Sequence, residues 1–287
     1  IPASISSGLS QINVFIDMFF ASSFQGAASG LAYGNFLIQA PLGILSNSLI
    51  LPLLPKFSKL RSDKDYIGLQ KKLISGIEYC FLTTIFLTAF FITFNNQIVQ
   101  LVFQRGSFDY SAALKVKNIL IAYAVGIPFY LYRDLLVRTY YSIEKTNFPF
   151  KSSLAGIILN IFFDWFLIGA PINNFGNLSP YNFGVVGIIL SSVIVNFIVC
   201  VLLSFNLRNE NIHLPNLDLL RKIILMSLAA FIDSTLCFTI LKTTNNFNSN
   251  LGEFLLLIFG SLTFFVIYFF LTKCLKVNRF KVYKNKI

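Results

Sequence analysis

The feature that most constrains this chain is a long run without any charged side chain. Between Met18 and Pro55 there is no Asp, Glu, Lys or Arg, and residues 56–72 then carry six Lys and Arg. A charge-free apolar stretch beside a dense basic loop is typical of membrane-spanning segments that end in the cytoplasm. The sequence therefore predicts a membrane protein.

Composition agrees with this interpretation. The 287 residues are 55% hydrophobic, 16% aromatic and only 12% charged, so polar groups are too few to cover a water-facing surface. The net charge of +11 would ordinarily indicate nucleic acid, but the basic residues lie in short loops between apolar runs. We therefore expect membrane lipids and no nucleic acid as partners. The four Cys lack metal-type spacing and are predicted to be apolar packing residues.

The number of crossings follows from the thickness of the bilayer. A hydrocarbon core of roughly 30 Å requires about 20 apolar residues per helix. Because lipid cannot satisfy unpaired backbone groups, spans of this length are helical. The predicted fold class is all-α, a polytopic membrane helix bundle with eight transmembrane helices. They fall near residues 3–23, 31–55, 73–94, 118–142, 152–171, 184–205, 223–241 and 252–272.

Basic residues predict the orientation of these helices. Eighteen Lys and Arg fall in the connections of one side, at 56–72, 138–151, 206–222 and 273–287. Four fall on the other side, at 24–30, 95–117, 172–183 and 242–251. Positive charge is retained in the cytoplasm, so Ile1 and the tail are both predicted to be cytoplasmic. The basic tail is either a topology anchor or a site for anionic lipids.

Glycines and prolines suggest two further features of the helices. The spacing of Gly26, Gly30 and Gly34 indicates either a dimerisation face or packing within the molecule. Pro41, Pro52 and Pro55 in the second segment, and Pro128 in the fourth, predict kinked or interrupted helices of the kind that transporters use around a central site.

Ionisable residues inside membrane segments are costly and are functional candidates. Asp17 follows Gln11 and Asn13, and the i, i+4 spacing of Asn13 and Asp17 recurs in Asn160 and Asp164. Under the predicted topology these groups lie at a similar depth to the Ser191–Ser192 pair. Their oxygens would suit a hard monovalent cation. The alternative is a set of hydrogen bonds between helices.

The other intramembrane ionisable residues are harder to pair. Arg133 and Asp134 are adjacent, about 100° apart on a helix, so each needs a partner elsewhere. Arg133 could meet a carboxylate on another segment, the phosphate of an anionic lipid-linked substrate, or the headgroup region. Glu78 is expected to form an ion pair near Lys71 and Lys72, and Asp233 has no evident partner. With a single His, at position 213, and no nucleophile–base constellation, the sequence indicates that this is not an enzyme.

Five stretches carry a resemblance to a known family. The chain resembles the C-terminal half of the MurJ/MviN family, the lipid II flippases of the multidrug/oligosaccharidyl-lipid/polysaccharide exporter superfamily. The matching runs are SQINVFIDMFFASS (10–23), YGNFLIQAPLGILSNSLILPLLPKFSKL (33–60), LVFQRGSFD (101–109), IAYAVGIPFY (121–130) and YYSIEKTNFPFK (140–151). The chain starts at Ile1 rather than Met, and we expect it to be a fragment that lacks an N-terminal lobe.

The resemblance implies a domain organisation and an activity. It implies a six-helix lobe at 1–205, a cytoplasmic loop at 206–222, two trailing transmembrane helices at 223–272 and a basic cytoplasmic tail at 273–287. Such a protein would lie in the bacterial inner membrane and translocate lipid-linked peptidoglycan precursor by alternating access. The alternatives are a polysaccharide-precursor or multidrug exporter of the same superfamily, or a non-transporting membrane scaffold.

One departure from the family pattern concerns the substrate. Members often carry YADR, then an acidic or amide residue, with the arginine facing the cavity; here those positions hold Asn35, Phe36 and Gln39. Arg133, or arginines on the missing lobe, would then contact the substrate phosphate. By contrast, Asp17, Asn160 and Asp164 match positions that resemble a sodium site in some members, with Ser192 in the place of a hydroxyl residue.

Overall fold

The computed structural model describes residues 2–103, 110–169, 181–214, 216–243 and 250–274. Over these residues every regular element is helical, which confirms the all-α fold class. The α-helices are α1 (Pro2–Ala21), α2 (Ala27–Leu45), α3 (Leu54–Ser62), α4 (Tyr66–Thr93), α5 (Asn95–Phe103), α6 (Tyr110–Ser142), α7 (Asn147–Ile168), α8 (Val185–Asn206), α9 (Asn216–Thr243) and α10 (Asn250–Cys274).

Seven helical runs in the described part of the chain are long and apolar enough to cross a membrane. They are Ala27–Ser62, Tyr66–Thr93, Ala112–Ser142, Asn147–Ile168, Val185–Glu210, Leu217–Thr239 and Leu257–Cys274. α1 spans 20 residues, and its apolar part within the described side chains is Gln11–Ala21. Seven of the eight predicted crossings are therefore confirmed as apolar helices of sufficient length, and the first stays a prediction.

Several predicted connections are helical, so the predicted boundaries are wrong there. The second run continues to Ser62, which puts part of the basic loop on α3. The connection at 95–117 contains α5 and the start of α6, and α6 continues to Ser142. Helices extend beyond the hydrocarbon core where Lys and Arg, which are good helix formers, keep their charges in the interface.

The predicted interruption of the second segment is present, at the prolines near its end. A π-helical turn at Ser46–Ile50 and a 3-10 turn at Leu51–Leu53 separate α2 from α3, and Pro52 lies in the 3-10 turn. Proline lacks an amide hydrogen and crowds the preceding turn, which favours such breaks. The backbone stays α-helical around Pro41 in α2 and Pro128 in α6, so no interruption occurs there.

α6 is the central helix of the bundle. It packs against α2, α3, α4, α5 and α8, and its buried side chains include Leu120, Ile127 and Leu135. α1 packs against α7 and α8. The last two helices pack on α4, where the Tyr268 hydroxyl donates to the Leu82 carbonyl at 3.0 Å.

Two of the three spaced glycines bring α2 close to α6. A Cβ atom added at Gly34 would lie 2.5 Å from Cγ2 of Ile119, and one at Gly30 would lie 2.9 Å from Cδ1 of the same side chain. Gly26 precedes α2 with a positive φ of 75°. Gly30 and Gly34 thus serve packing within the molecule, one of the two alternatives for this spacing.

Candidate functional site

A cluster of polar side chains joins three helices near one end of the bundle. Asp17 is close to the end of α1, Asn160 and Asp164 are in the second half of α7, and Ser191 and Ser192 are in the first half of α8. The structure therefore brings together the residues that the sequence placed at one depth. Asn160, Asp164 and Ser191 are buried, and Asp17 is half-buried.

Asn160 is the centre of this carboxylate cluster. Its side-chain amide donates to Oδ1 of Asp17 at 2.8 Å and to Oδ2 of Asp164 at 3.0 Å. The Ser192 hydroxyl lies 3.2 Å from Oδ2 of Asp17 and 3.2 Å from Oδ1 of Asn160. Among the described residues, Oδ1 of Asp164 is buried without a hydrogen-bond partner, and so is Oδ1 of Asn13, one turn before Asp17. The cluster therefore combines bonds between helices with oxygens that remain available. Gln11 on α1 is exposed.

A cavity of about 700 Å³ opens between α2, α6, α7 and α8. Its lining residues are Gln39, Leu42, Gly43, Ser46, Leu54, Tyr130, Leu131, Arg133, Asp134, Val137, Arg138, Tyr141, Ser153 and Asn196. Of the predicted substrate-cavity residues, Gln39 and Arg133 line it. Asn35 and Phe36 do not, and Phe36 is 67% exposed on α2.

Arg133 lines this cavity with neutral hydrogen-bond partners. Its Nη1 donates to Oδ1 of Asn196 at 2.9 Å, and its Nη2 donates to the Ser153 hydroxyl at 3.3 Å. Among the described residues, no carboxylate of another segment contacts Arg133. The guanidinium is held by neutral groups, and no direct ion pair neutralises its charge within the described part of the chain.

Asp134 pairs with Arg138, a residue that the sequence predicts to lie in a loop. Nε of Arg138 donates to Oδ1 of Asp134 at 2.7 Å, and the Ser46 hydroxyl donates to Oδ2 at 2.5 Å. Nη2 of Arg138 in turn lies 3.2 Å from Oγ of Ser46. The prediction that Asp134 would not pair with Arg133 agrees with this geometry. The i, i+4 spacing of Asp134 and Arg138 was the signal for the missed partner.

One side chain of α8 connects the cavity to the carboxylate cluster. Asn196 accepts from Arg133 and donates through Nδ2 to the Ser192 carbonyl at 2.7 Å. The Ser192 hydroxyl belongs to the carboxylate cluster. A continuous path of contacts therefore runs from Arg133 to Asp17, which the linear sequence did not predict.

The remaining ionisable groups lie outside both sites. Glu78 on α4 pairs with Lys222 on α9 rather than with Lys71 or Lys72. Asp233 is fully buried; its Oδ1 is 3.9 Å from Sγ of Cys237, and its Oδ2 has no partner among the described residues.

The structure also bears on the predicted roles of the cysteines. Three are buried and one is exposed: Cys80, Cys200 and Cys237, and Cys274, respectively. The packing role predicted for all four is therefore wrong for Cys274. Within the described ranges, no three or more His, Cys, Asp and Glu side chains are grouped so that they could hold a metal ion.

Comparison with known proteins shows one family. The family described as "Lipid II flippase MurJ" matches residues 1–260. A probable lipid II flippase MurJ of Synechocystis sp. is 42% identical over 196 residues, covering 68% of this chain and 34% of that protein. One of Rickettsia prowazekii is 32% identical over 159 residues, covering 55% of this chain and 31% of that protein. The matched parts of the chain thus cover about a third of the length of these two curated relatives.

Two solved structures share the fold. A lipid II flippase MurJ in an inward closed conformation has a TM-score of 0.71 and 24% identity, covering 94% of this chain and 52% of that one. A MATE protein in complex with MaD3S has a TM-score of 0.62 and 12% identity, covering 95% of this chain and 64% of that one. Both likenesses concern the helical architecture.

Proposed function

This chain belongs to the lipid II flippase MurJ family, and from that premise we propose that its protein translocates lipid-linked peptidoglycan precursor across the bacterial inner membrane by alternating access. The observation that carries the proposal is Arg133, which lines a cavity of about 700 Å³ between neutral partners. A guanidinium matches the geometry of a phosphate, and the diphosphate of the precursor is anionic.

The charge balance of the cavity supports an anionic substrate. Its lining includes two cations, Arg133 and Arg138, and one carboxylate, Asp134. Asp134 is hydrogen-bonded to Arg138, so Arg133 is the group left to attract negative charge. An unpaired cation in a low-dielectric site is costly unless a ligand compensates it. This cost is the physical reason to expect an anion there.

The uncharged pair Asn35 and Phe36 supports a second candidate. Without an arginine at Phe36, the substrate could be a polysaccharide precursor or an amphipathic drug carried by another exporter of the superfamily. The likeness to a MATE structure is compatible with that candidate at the level of fold. The cavity lined by Arg133 favours the lipid diphosphate, because a neutral or cationic cargo would leave the positive charge of Arg133 uncompensated.

The fold also supports a larger assembly. The flippase structure is about twice as long as the part that this chain covers. Phe36 and other large apolar side chains of the bundle are exposed. We place a further lobe of the same protein against the cavity, and both Ile1 and the C-terminal tail in the cytoplasm.

Cation coupling is part of the proposal. The carboxylate cluster offers carboxylate, amide and hydroxyl oxygens from Asp17, Asn160, Asp164 and Ser192 within one region. The Oδ1 of Asp164, which is buried and has no hydrogen-bond partner among the described residues, is a further oxygen for a cation. Hard cations prefer such oxygen ligands, and a sodium ion would relieve the repulsion between the two carboxylates.

Complementation tests the proposed activity. The complete protein that carries this chain is expressed in a bacterium depleted of its own lipid II flippase, and growth is measured. We expect rescue by the wild type and by Arg61→Gln on α3, but not by Arg133→Gln. Rescue by Arg133→Gln at equal membrane levels would contradict the role of Arg133. No rescue by well-expressed wild type would favour the exporter alternative.

A separate measurement tests the cation. Thermal unfolding of the purified complete protein is followed in sodium and in choline chloride at equal ionic strength. Sodium is expected to raise the unfolding temperature of the wild type and of the surface variant Asp63→Asn, since a ligand that binds the folded state stabilises it. Asp164→Asn should lose this shift. An undiminished shift in Asp164→Asn would exclude the proposed site.

A further inference from the structure

We propose that Arg138 is a second headgroup-binding cation, which Asp134 and Ser46 hold until a diphosphate enters the cavity. The inference rests on the proposed function, because it names how the same cavity distinguishes a lipid diphosphate from lipids with a single phosphate. It assigns Arg138 a binding role and Asp134 a role in specificity.

The geometry holds Arg138 without saturating it. Its Nε and Nη2 contact Asp134 and Ser46, whereas Nη1 has no hydrogen-bond partner among the described residues. The side chains of Arg138 and Asp134 are 29% and 32% exposed, so the pair faces the open cavity rather than the core. An ion pair at this level of exposure is worth little net free energy and can be exchanged for another partner.

Arg138 and Arg133 offer a diphosphate two separate points of attachment. Both line the one cavity, five residues apart on α6, and the other lining side chains are neutral apart from Asp134. Arg133 has neutral partners, so a single phosphate can bind it without displacing a carboxylate. Arg138 differs, because an incoming phosphate must compete with Asp134.

The competition with Asp134 limits Arg138 to ligands that carry a second phosphate. A monophosphate bound at Arg133 has no second phosphate to offer, so Arg138 stays with Asp134. A diphosphate carries further negative charge and more oxygens, and it can displace or share the contact of Asp134 with Arg138. Removing the charge of Asp134 should therefore remove the cost of this displacement, which raises the affinity for the diphosphate more than the affinity for the monophosphate.

The test measures two lipids on one protein. Native mass spectrometry of the detergent-solubilised complete protein compares a polyprenyl diphosphate with the polyprenyl monophosphate of the same tail. For wild type we expect about tenfold tighter binding of the diphosphate, the effect of one additional charge-assisted contact. Arg138→Gln should lose this preference through weaker diphosphate binding, with the affinity for monophosphate unchanged. Arg61→Gln, with the same loss of charge outside the cavity, should keep it.

Two further variants separate a binding role from a structural one. Asp134→Asn should increase the preference, by tighter diphosphate binding, which a merely damaged cavity cannot produce. Arg133→Gln should weaken both lipids. A preserved preference in Arg138→Gln overturns this inference and leaves the proposed function intact. If wild type binds neither lipid, the proposed function fails, and this inference fails with it.

Discussion

Asn160 is the residue on which the carboxylate cluster depends. Its amide donates to both Asp17 and Asp164, so it reduces the repulsion of two carboxylates in a buried place. Asn160→Ala should destabilise the protein by about 2 kcal/mol, because the buried Asp164 and the half-buried Asp17 both lose a donor. Chemical unfolding in detergent measures the change. Asn209→Ala in the connection after α8 is the matched control, and an equal effect of both variants would contradict this role.

Tyr140 shows a second polar contact in the core of the bundle. The side chain is fully buried, its hydroxyl donates to the Leu203 carbonyl at 2.8 Å, and it accepts from Nδ2 of Asn206 at 3.2 Å. Tyr140→Phe should cost about 1–2 kcal/mol of unfolding free energy, since the hydrogen bonds to the Leu203 carbonyl and from Asn206 are lost, although that carbonyl still accepts from the Leu207 amide. Tyr79→Phe, at a more exposed position on α4, should have a smaller effect in the same unfolding assay.

At the residue scale, the spacing of residues along the sequence predicts part of the site but not all of it. Hydropathy predicts a similar membrane depth for the i, i+4 pairs of α1 and α7 and for the serines of α8. The structure brings Asp17, Asn160 and Asp164 together. The sequence could not supply the contacts of Arg138 or Ser46. These depend on how far α6 extends past the bilayer core and on the π turn after α2, which hydropathy does not report.

At the scale of elements, the contact of α2 with α6 depends on small residues. Gly34→Leu should destabilise the protein by about 1–3 kcal/mol, because the side chain would collide with Ile119 and Tyr123. Gly43→Ala lies on the same helix with no heavy atom within 4 Å of the added Cβ, and it should be neutral or stabilising. Unfolding midpoints of both variants test this, and equal stabilities would refute the close contact.

α8 is the element that connects the two sites. Asn196 contacts Arg133 and the Ser192 carbonyl, so a cation near Ser192 should alter the position of Arg133. In wild type, sodium is expected to change the affinity for a polyprenyl diphosphate by about fivefold, and reciprocity requires the lipid to change the affinity for sodium equally. Asn196→Ala should abolish this linkage while sodium still stabilises the protein. Linkage that persists in Asn196→Ala would show that another path carries it.

The helical spans can be predicted from the sequence because few backbone conformations satisfy every hydrogen bond in lipid. The ends of the helices cannot be predicted in this way. Lys56, Lys59 and Arg61 indicate the end of a membrane span in the sequence, yet they lie on α3. Charge marks where a chain leaves the hydrocarbon core, and helices continue into the interface beyond it. For the same reason Arg138, which the sequence predicts to lie in a loop, lies in the wall of the cavity.

For the whole molecule, the order of the helices fixes which ends share a side of the membrane. The turns after α3, α6 and α8 lie at one side of an alternating bundle, and the turns after α1 and α4 lie at the other. The basic residues favour the first side as cytoplasmic. This orientation follows from charge, while the fold alone is compatible with either.

Cysteine labelling in the complete protein measures the orientation directly. In a background with Cys274→Ser, since Cys274 is the exposed thiol, single substitutions are made at Lys64, Glu144 and Asn211 and at Ser23 and Asn96. A membrane-impermeant maleimide added to intact cells should label Ser23→Cys and Asn96→Cys, and inside-out vesicles should expose the other three. The reverse pattern would invert the topology. It would also place the cavity lined by Arg133 nearer the outer leaflet, where a substrate made in the cytoplasm could not reach it from the inner leaflet.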